Sequence, residues 1–344
     1  MEPEAIGAAE RVPHGGETDQ SILDFSANIN PRVPDGLEEI YRDALEASRR
    51  YPDDEYPDYR EAAAGYVGCR ADEVIPTSGG LAAIRLALEA ILEPGDEVLV
   101  PYPSFGEYAR EVRLQGAIPR FVRHDEILGA VPDRYALAIV CTPNNPTGEA
   151  ARPDALSAFA DRCREEETTL LVDEAFLGFT DLPSMAGREG VVVARSLTKL
   201  FGLPGLRAGF AVATGELRER LETARPAWGL GTPAARVGAH CMRDSEFVEE
   251  ARETVARERT RMRETLEGET DLEVYPSDAP YLLCDVGDLD VEELLGYARS
   301  RGVALRDGRT FRALDSHVRI AVKDREANDR VLEVLTDAED ALEE

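Results

Sequence analysis

The chain of 344 residues contains only two lysines, Lys199 and Lys323. Lys199 stands in the segment Ser-Leu-Thr-Lys-Leu-Phe-Gly-Leu-Pro-Gly-Leu-Arg, which runs from Ser196 to Arg207. A lysine amine can form a Schiff base with a carbonyl compound when burial or a neighbouring cation lowers its pKa. Arg207 could supply that cation and could also bind a phosphate. The segment predicts covalent chemistry at Lys199, and the alternative is a surface lysine before a Gly/Pro turn.

Two further segments carry polar side chains suited to a flat, charged ligand. Asp173 follows an apolar run, where a carboxylate is costly unless it meets a cation such as a pyridinium N–H. The alternative is a helix N-cap. Asn145 lies in the run Thr-Pro-Asn-Asn-Pro-Thr-Gly that begins at Thr142, where two prolines stiffen the backbone. Its amide could donate to an aromatic oxygen, or the run could serve only as a rigid turn.

A glycine pair and an aromatic residue complete the set. Gly79 and Gly80 stand before a helical pattern, where backbone N–H groups and the helix dipole favour an anion. Phe105 could stack on a flat ring or could be a core aromatic. In chain order the parts are a phosphate cradle, a stacking ring, an amide, a carboxylate and a lysine with a serine and an arginine. Together they suit one ligand, a phosphorylated, cationic aromatic aldehyde.

The elements that must position these residues alternate along the chain. Helical patterns cover residues 80–92 and 154–164, and the apolar runs that favour strands cover residues 97–100, 136–141, 170–172 and 191–194. Strands that alternate with helices indicate a parallel sheet covered on both faces. Ligands of such sheets bind outside the carboxyl ends of the strands. The candidate polar residues repeatedly follow those ends.

The second half predicts a smaller unit. A charge-rich helical stretch runs from about Pro233 to Glu267, followed by strand candidates at 272–275, 281–286 and 318–322 and by helices near 291–301 and from Glu326. We therefore expect an α/β fold, with a large domain built on a mostly parallel sheet flanked by helices and a smaller α/β C-terminal domain. The predicted large domain is 36–240, and the small domain is 241–344 together with the N-terminal, substrate-contacting segment 1–35.

Composition narrows the classes of function. Lysine and arginine number 39 against 68 aspartates and glutamates, a formal net charge of −29. Such a surface repels phosphate backbones and anionic lipid, so we expect neither nucleic-acid nor membrane binding. The acidic excess and the scarcity of lysine suggest a surface adapted to high salt; the alternative is an ordinary acidic protein.

Cysteine and histidine spacing favours no metal site. The five cysteines include no CxxC pair, and the four histidines never fall at ligand spacing. The N-terminus lacks the basic and apolar regions of a signal peptide, and no apolar run is long enough to span a bilayer. By elimination, the expected location is the cytoplasm.

The order of these motifs resembles that of the fold-type I family of pyridoxal 5′-phosphate (PLP) enzymes, the group similar to aspartate aminotransferase. By this resemblance Lys199 would carry PLP covalently and move protons, and Asp173 would pair with the pyridine nitrogen and keep it protonated. Asn145 would hydrogen-bond the ring hydroxyl, and Phe105 would stack on the ring. The residues implied to bind the cofactor phosphate are Gly79, Gly80, Leu81, Ser196 and Arg207.

The resemblance also implies a partner and shows two departures. Tyr51, in Arg-Tyr-Pro, resembles a tyrosine that reaches the phosphate of the neighbouring subunit, which implies a homodimer with shared active sites. Phe176 stands where many aminotransferases have tyrosine, so one hydrogen bond to the ring oxygen would be missing. The loop from Ser78 to Leu81 lacks the acidic or hydroxyl residues often found in the phosphate cradle.

The N-terminus resembles one branch of this family. His14-Gly-Gly and the run Asp-Phe-Ser-Ala-Asn-Ile-Asn-Pro, which contains Asn28, resemble the opening of threonine-phosphate decarboxylases of cobalamin synthesis. Histidinol-phosphate aminotransferases are their close relatives, and the segments around Arg306 and Arg319 are similar in both. By this resemblance Arg319 would clamp the substrate carboxylate, Arg306 and His14 would contact its phosphate, and Asn28 would help to orient it. The alternatives are surface salt bridges for the arginines and an N-terminal turn for His14.

The two reactions share every cofactor contact. They differ in which bond at the substrate α-carbon stands perpendicular to the ring: loss of the carboxylate gives decarboxylation, and loss of the hydrogen begins transamination. On the N-terminal resemblance we predict decarboxylation of a small phosphorylated amino acid, O-phospho-L-threonine, to aminopropanol phosphate. Transamination of the histidinol-phosphate type is the alternative. A non-catalytic binding homologue is a third hypothesis, against which the intact Lys199, Asp173 and Asn145 argue.

Overall fold

The computed structural model describes residues 1–8 and 10–342. In the first two thirds of the chain the helices are α1 (Pro3–Ala8), α2 (Leu37–Ala47), α3 (Pro57–Val67), α4 (Gly80–Ile91), α5 (Glu107–Leu114), α6 (Pro153–Glu165) and α7 (Gly215–Ala224). The strands of the same part are β1 (Leu23–Asp24), β2 (Val74–Thr77), β3 (Glu97–Tyr102), β4 (Ile118–Arg123), β5 (Leu137–Cys141), β6 (Thr169–Asp173), β7 (Val191–Ser196) and β8 (Gly209–Val212).

Strands β2 to β8 form one sheet in the order β2-β8-β7-β6-β5-β3-β4. All of them run parallel except β8, which is antiparallel to both of its neighbours. Successive side chains of a strand point to opposite faces. Along β6, Leu170 and Val172 accordingly join one hydrophobic core and Leu171 joins the other. Burial on both faces explains why these strands are continuous apolar runs, and the predicted α/β class is confirmed.

The carboxyl ends of the central strands lie at one edge of this sheet. Chain order and register bring the loop after β5 beside Asp173, the last residue of β6, because Cys141 pairs with Asp173. Ser196 ends β7, and Lys199 follows it by three residues. Gly80 begins α4 after β2. The parallel arrangement therefore collects the predicted polar residues on one side of the sheet.

The last third of the chain contributes the remaining helices and strands. Its helices are α8 (Thr232–Arg243), α9 (Ser245–Glu269), α10 (Val291–Ser300) and α11 (Arg325–Leu342), and its strands are β9 (Glu273–Val274), β10 (Tyr281–Asp285), β11 (Val303–Ala304), β12 (Arg306–Asp307) and β13 (His317–Ala321). Four of these strands form an antiparallel sheet in the order β12-β13-β10-β9, and β11 pairs with the N-terminal β1. The proposed domain boundaries at residues 36 and 240 stay a prediction.

One predicted element was wrong. The helical stretch predicted from Pro233 to Glu267 is two helices, α8 and α9, separated at Asp244. The carboxylate of Asp244 accepts a hydrogen bond from the backbone N–H of Phe247 at 3.0 Å. Aspartate favours this N-cap geometry over a helix interior, so it ends one helix and begins the next. In the described part of the chain, none of the helices combines the length and apolar character needed to cross a membrane.

Candidate active site

A cleft of about 350 Å³ lies at the carboxyl ends of the central strands. The large sheet forms its floor, and the N-terminal segment and strands β12 and β13 form its walls. Most of the residues singled out from the sequence line it, namely His14, Asn28, Gly80, Leu81, Phe105, Asn145, Asp173, Ser196, Lys199, Arg207, Arg306 and Arg319. Separate segments of the chain therefore converge on one cavity.

Lys199 faces this cleft and is only partly exposed to solvent. Burial, followed by the charges of Arg319 and Arg207, lowers the pKa of the Lys199 amine from 10.5 to about 8. A substantial fraction of the amine is therefore neutral, and nucleophilic, in mildly alkaline solution. Lys199 is therefore not the ordinary surface lysine that was the alternative.

Asp173 is buried at the floor of the cleft. Its Oδ2 accepts a hydrogen bond from the Tyr108 hydroxyl at 2.6 Å, and its Oδ1 accepts one from the Ala175 N–H at 3.0 Å. Burial raises the pKa of the Asp173 carboxyl, and none of the ion pairs among the described residues involves it. A cationic ligand in the cleft would offset this cost of burial. The N-cap alternative was wrong, because the next helical element is a short 3₁₀ turn at Leu177–Phe179, and its N-cap residue is Phe176.

Asn145 and Arg319 touch each other across the cleft. The Arg319 guanidinium donates to the Asn145 Oδ1 and, at 2.9 Å, to the Ser26 carbonyl. The Arg319 Nε and the Asn28 Oδ1 are buried without a hydrogen-bond partner. Unsatisfied buried polar atoms are costly, so a donor and an acceptor left open beside a cavity point to a polar ligand.

The glycine loop, Ser196 and Arg207 form a cradle at the start of α4. Gly79 has φ +105°, and a Cβ there would lie 2.7 Å from the Arg207 guanidinium. A Cβ on Gly80 would lie 3.1 Å from the Ser196 Cβ. Arg207 donates to the Pro204 carbonyl at 3.2 Å and has no carboxylate partner among the described residues. A free guanidinium, a hydroxyl and a helix N-terminus suit a phosphate.

Sequence reasoning missed Tyr108. It is fully buried, and its ring meets that of Phe105 edge to face at 5.5 Å. The spacing of three residues, which puts two side chains on one side of a helical turn, was the available signal. Phe176, the noted departure, packs edge to face on Tyr281 at 5.1 Å, and the Tyr281 hydroxyl donates to the Asn144 carbonyl at 2.8 Å.

Arg306 and Arg319 are cross-strand neighbours, paired in register between β12 and β13. Both are buried, and neither forms an ion pair with a carboxylate in the part of the chain that the structure describes. Burial lowers the pKa of both guanidinium groups, that of Arg319 to about 10. The surface salt bridge considered for each arginine is thus wrong. Two adjacent cations without counter-charges indicate a ligand with two anionic groups.

The N-terminal segment closes one wall of the cleft. The Arg306 guanidinium donates to the Pro13 carbonyl at 2.7 Å, and the His14 Nε2 lies 2.9 Å from Glu107 Oε1. The His14 ring also lies 5.9 Å from the Phe105 ring. These contacts place the histidine at the mouth of the cleft beside Arg306.

Two predicted residues do not line this cleft: Gly79, whose position beside Arg207 is described above, and Tyr51. Tyr51 is 80% exposed, and its ring lies tilted against the Trp228 ring, with centroids 4.7 Å apart, beside a different surface hollow. Its role toward a second subunit stays a prediction.

The chain is similar to a known protein family, to individual related proteins and to solved structures. The family model described as aminotransferase class I and II matches residues 20–335. The chain is 31% identical to histidinol-phosphate aminotransferase 2 of Archaeoglobus fulgidus, covering 92% of this chain and 93% of the relative. It is also 31% identical to a putative threonine-phosphate decarboxylase of Caldanaerobacter subterraneus, covering 94% and 92%. The solved histidinol-phosphate aminotransferase of Clostridium acetobutylicum shares the fold, with a TM-score of 0.86 at 24% identity over 93% of this chain and all of that chain.

Proposed function

The chain belongs to the aminotransferase class I and II family of PLP-dependent enzymes, and from that premise we propose that it decarboxylates O-phospho-L-threonine to aminopropanol phosphate. The observation that carries this proposal is the pair of buried cross-strand arginines, Arg306 and Arg319, beside His14. O-phospho-L-threonine presents a carboxylate and a phosphate at once, so it can engage both arginines in a single binding event. Histidinol phosphate has only the phosphate, but 2-oxoglutarate, the acceptor in its transamination, has two carboxylates and would also engage both arginines, so the product assay below decides between the two functions.

The residues of the cleft fit PLP. The buried Asp173 carboxylate, which has no ion-pair partner among the described residues, suits the protonated ring nitrogen, and the cradle of Gly79, Ser196 and Arg207 suits the phosphate. When bound, PLP withdraws electrons from the α-carbon of an amino acid. Each of these groups is already in place, so little reorganisation is needed at the moment of reaction.

The protein's own groups would then select and complete the reaction. Arg319 holds the substrate carboxylate and Arg306 its phosphate, which fixes the torsion about the α-carbon and so the bond that breaks. Loss of carbon dioxide leaves the α-carbon in need of a proton. Lys199, with its pKa of about 8, can hold and return a proton at Nζ near neutral pH.

Transamination of the histidinol-phosphate type is the second candidate. It is favoured by the relatives of that name, which match at the same identity as the decarboxylase. A non-catalytic homologue is the third, and the converged site argues against it.

A product assay separates these functions. Purified protein with PLP and O-phospho-L-threonine should release carbon dioxide without consuming a 2-oxo acid, and it should do so with no added amino acceptor. Because the net charge is −29, the assay is run in dilute buffer and in molar salt, which screens the repulsion between carboxylates. Turnover of histidinol phosphate that depends on 2-oxoglutarate and forms glutamate would establish the aminotransferase and refute the decarboxylase.

We also propose a homodimer through the face that contains Tyr51. Leu45 and Trp228 are at least half exposed; Leu45 lines the same hollow as Tyr51, and the Trp228 ring contacts the Tyr51 ring, so apolar side chains of this face lie in water. Light scattering should give twice the chain mass of 37.7 kDa. Leu45→Glu should shift the mass toward the monomer, whereas Val131→Glu, at an exposed valine on another loop, should not. A monomeric unsubstituted protein would refute the dimer.

A further inference from the structure

A second hollow, of about 500 Å³, opens beside the mouth of the cleft. We call it the outer groove. It lies between the N-terminal segment, helix α5, the edge strand β4 and the loop before β13. Phe105, Gly106 and Phe311 line both the cleft and the outer groove, so the two hollows are adjacent.

Three arginines of the outer groove lack a counter-charge. Arg11, Arg113 and Arg312 are exposed, and among the described residues none of their guanidinium groups forms an ion pair or hydrogen bond. This is unexpected in a chain with 68 acidic and 39 basic residues, where a carboxylate is usually within reach. Like charges that line one hollow repel each other, and a bound anion would offset that repulsion.

Other arginines in or near the outer groove do have carboxylate partners. Arg110, which also lines the outer groove, pairs with Glu111 at 2.9 Å and with Glu107 at 3.2 Å. On β4, Arg120 donates to Glu97 at 2.7 Å and Arg123 to Asp125 at 2.8 Å. Arg11, Arg113 and Arg312 thus differ from these neighbouring arginines, because none of the three has a carboxylate partner among the described residues.

Two of these three arginines, Arg113 and Arg312, lie over the ring of Phe121. Its ring, on β4, lies 4.0 Å from the Arg312 guanidinium carbon and 6.0 Å from that of Arg113. Cation–π contacts of this kind hold a guanidinium in place while its N–H groups stay free to donate. The turn that carries Arg312 continues through Ala313 at φ +63°, a left-handed conformation that is costly for alanine. The chain thus keeps a strained turn where it holds Arg312 over the ring.

The charge of the outer groove matches one class of ligand. Glu10 is the acidic residue among those lining it, and Arg110 is already neutralised by its own carboxylates. The three free guanidinium groups therefore leave an excess of two positive charges. A phosphate monoester carries close to two negative charges at neutral pH and accepts hydrogen bonds on three oxygens.

We propose that the outer groove is a second anion-binding site that takes the phosphate group of a small phosphate monoester at the entrance to the cleft. That this ester is the enzyme's own substrate on its way to Arg306 rests on the function proposed above. The proposal that the outer groove binds a phosphate group does not depend on that function.

Calorimetric titration of the PLP-loaded enzyme with inorganic phosphate tests the site directly, because the cofactor phosphate then fills the cradle. The double variant Arg113→Ala/Arg312→Ala should bind phosphate at one site fewer, or about tenfold more weakly at that site. The matched double variant Arg120→Ala/Arg123→Ala removes two paired arginines and should bind as the unsubstituted enzyme does. Equal titrations for all three proteins would overturn the proposal. A change of mass in solution in the first variant alone would also overturn it, because the arginines would then serve an interface.

Kinetics test the link to the substrate. In the Arg113→Ala/Arg312→Ala variant kcat/KM for O-phospho-L-threonine should fall by about tenfold with kcat unchanged, and the control variant should keep both. Phosphate binding that depends on the two arginines while kcat/KM stays constant would refute the substrate route. If no phosphorylated amino acid is turned over, the function proposed above fails, and the calorimetric result still decides the outer groove.

Discussion

Replacing Lys199 by alanine will leave a folded protein that takes up no PLP covalently and turns over its substrate at least about 10⁴-fold more slowly. Both losses have one cause, because Lys199 presents the amine of lowered pKa inside the cleft and is also the proton carrier in the proposed function. Reduction with borohydride followed by mass spectrometry measures the covalent uptake. Circular dichroism checks that the variant is folded.

Lys323→Ala is the matched control, since Lys323 is the only other lysine. It lies 5.7 Å from the Phe25 ring and does not line the cleft, so its loss should leave uptake of PLP intact. In the unsubstituted protein, uptake should quicken as the pH rises and level off above about 8, because the amine is protonated and unreactive below its pKa. Covalent uptake by the Lys199→Ala protein would refute the assignment.

Replacing Asp173 by asparagine will separate cofactor binding from stability. The buried carboxylate would lose its ion pair with the ring nitrogen, a cost of about 3–5 kcal/mol, or roughly 10²- to 10⁴-fold in kcat. Without PLP the same change removes a buried carboxylate that has no ion-pair partner among the described residues. Burial already raises the pKa of this Asp173 carboxyl. The cofactor-free variant should therefore unfold at an equal or higher temperature than the unsubstituted protein, while PLP should stabilise it less. Thermal unfolding with and without PLP, beside kcat, measures both.

Tyr108→Phe is the graded comparison for Asp173, since it removes one hydrogen bond of 2.6 Å and keeps the charge. Tyr108 is a positioning residue, and a single bond to a charged group contributes about 1.5–3 kcal/mol. Its hydroxyl also lowers the pKa of Asp173. The acidic limb of the pH–rate profile should therefore move to higher pH. Full activity in Asp173→Asn would contradict the role of both residues.

Much of the chemistry could be predicted from local sequence. The scarcity of lysine singled out Lys199, and apolar runs with polar residues at their ends predicted the parallel sheet that brings Asp173 and Asn145 into the cleft. These features succeed because a strand or helix pattern is periodic over a few residues, and the carboxyl ends of parallel strands share one edge. The wrong prediction of one continuous helix across Asp244 could also have been avoided from local sequence, because aspartate is a common N-cap residue and here it caps α9.

What only the tertiary structure decided is which distant side chains meet. The Tyr108–Asp173 hydrogen bond, the cross-strand pairing of Arg306 with Arg319 and the outer groove join residues from separate elements. Arg11, Arg113 and Arg312 are separated by most of the chain, and no local periodicity relates them. Whether an arginine finds a carboxylate depends on the packing of elements and on strand register, and neither is a property of a short window of sequence. Residue types therefore determined which reactions are available, and packing determined which charges were left free for a ligand.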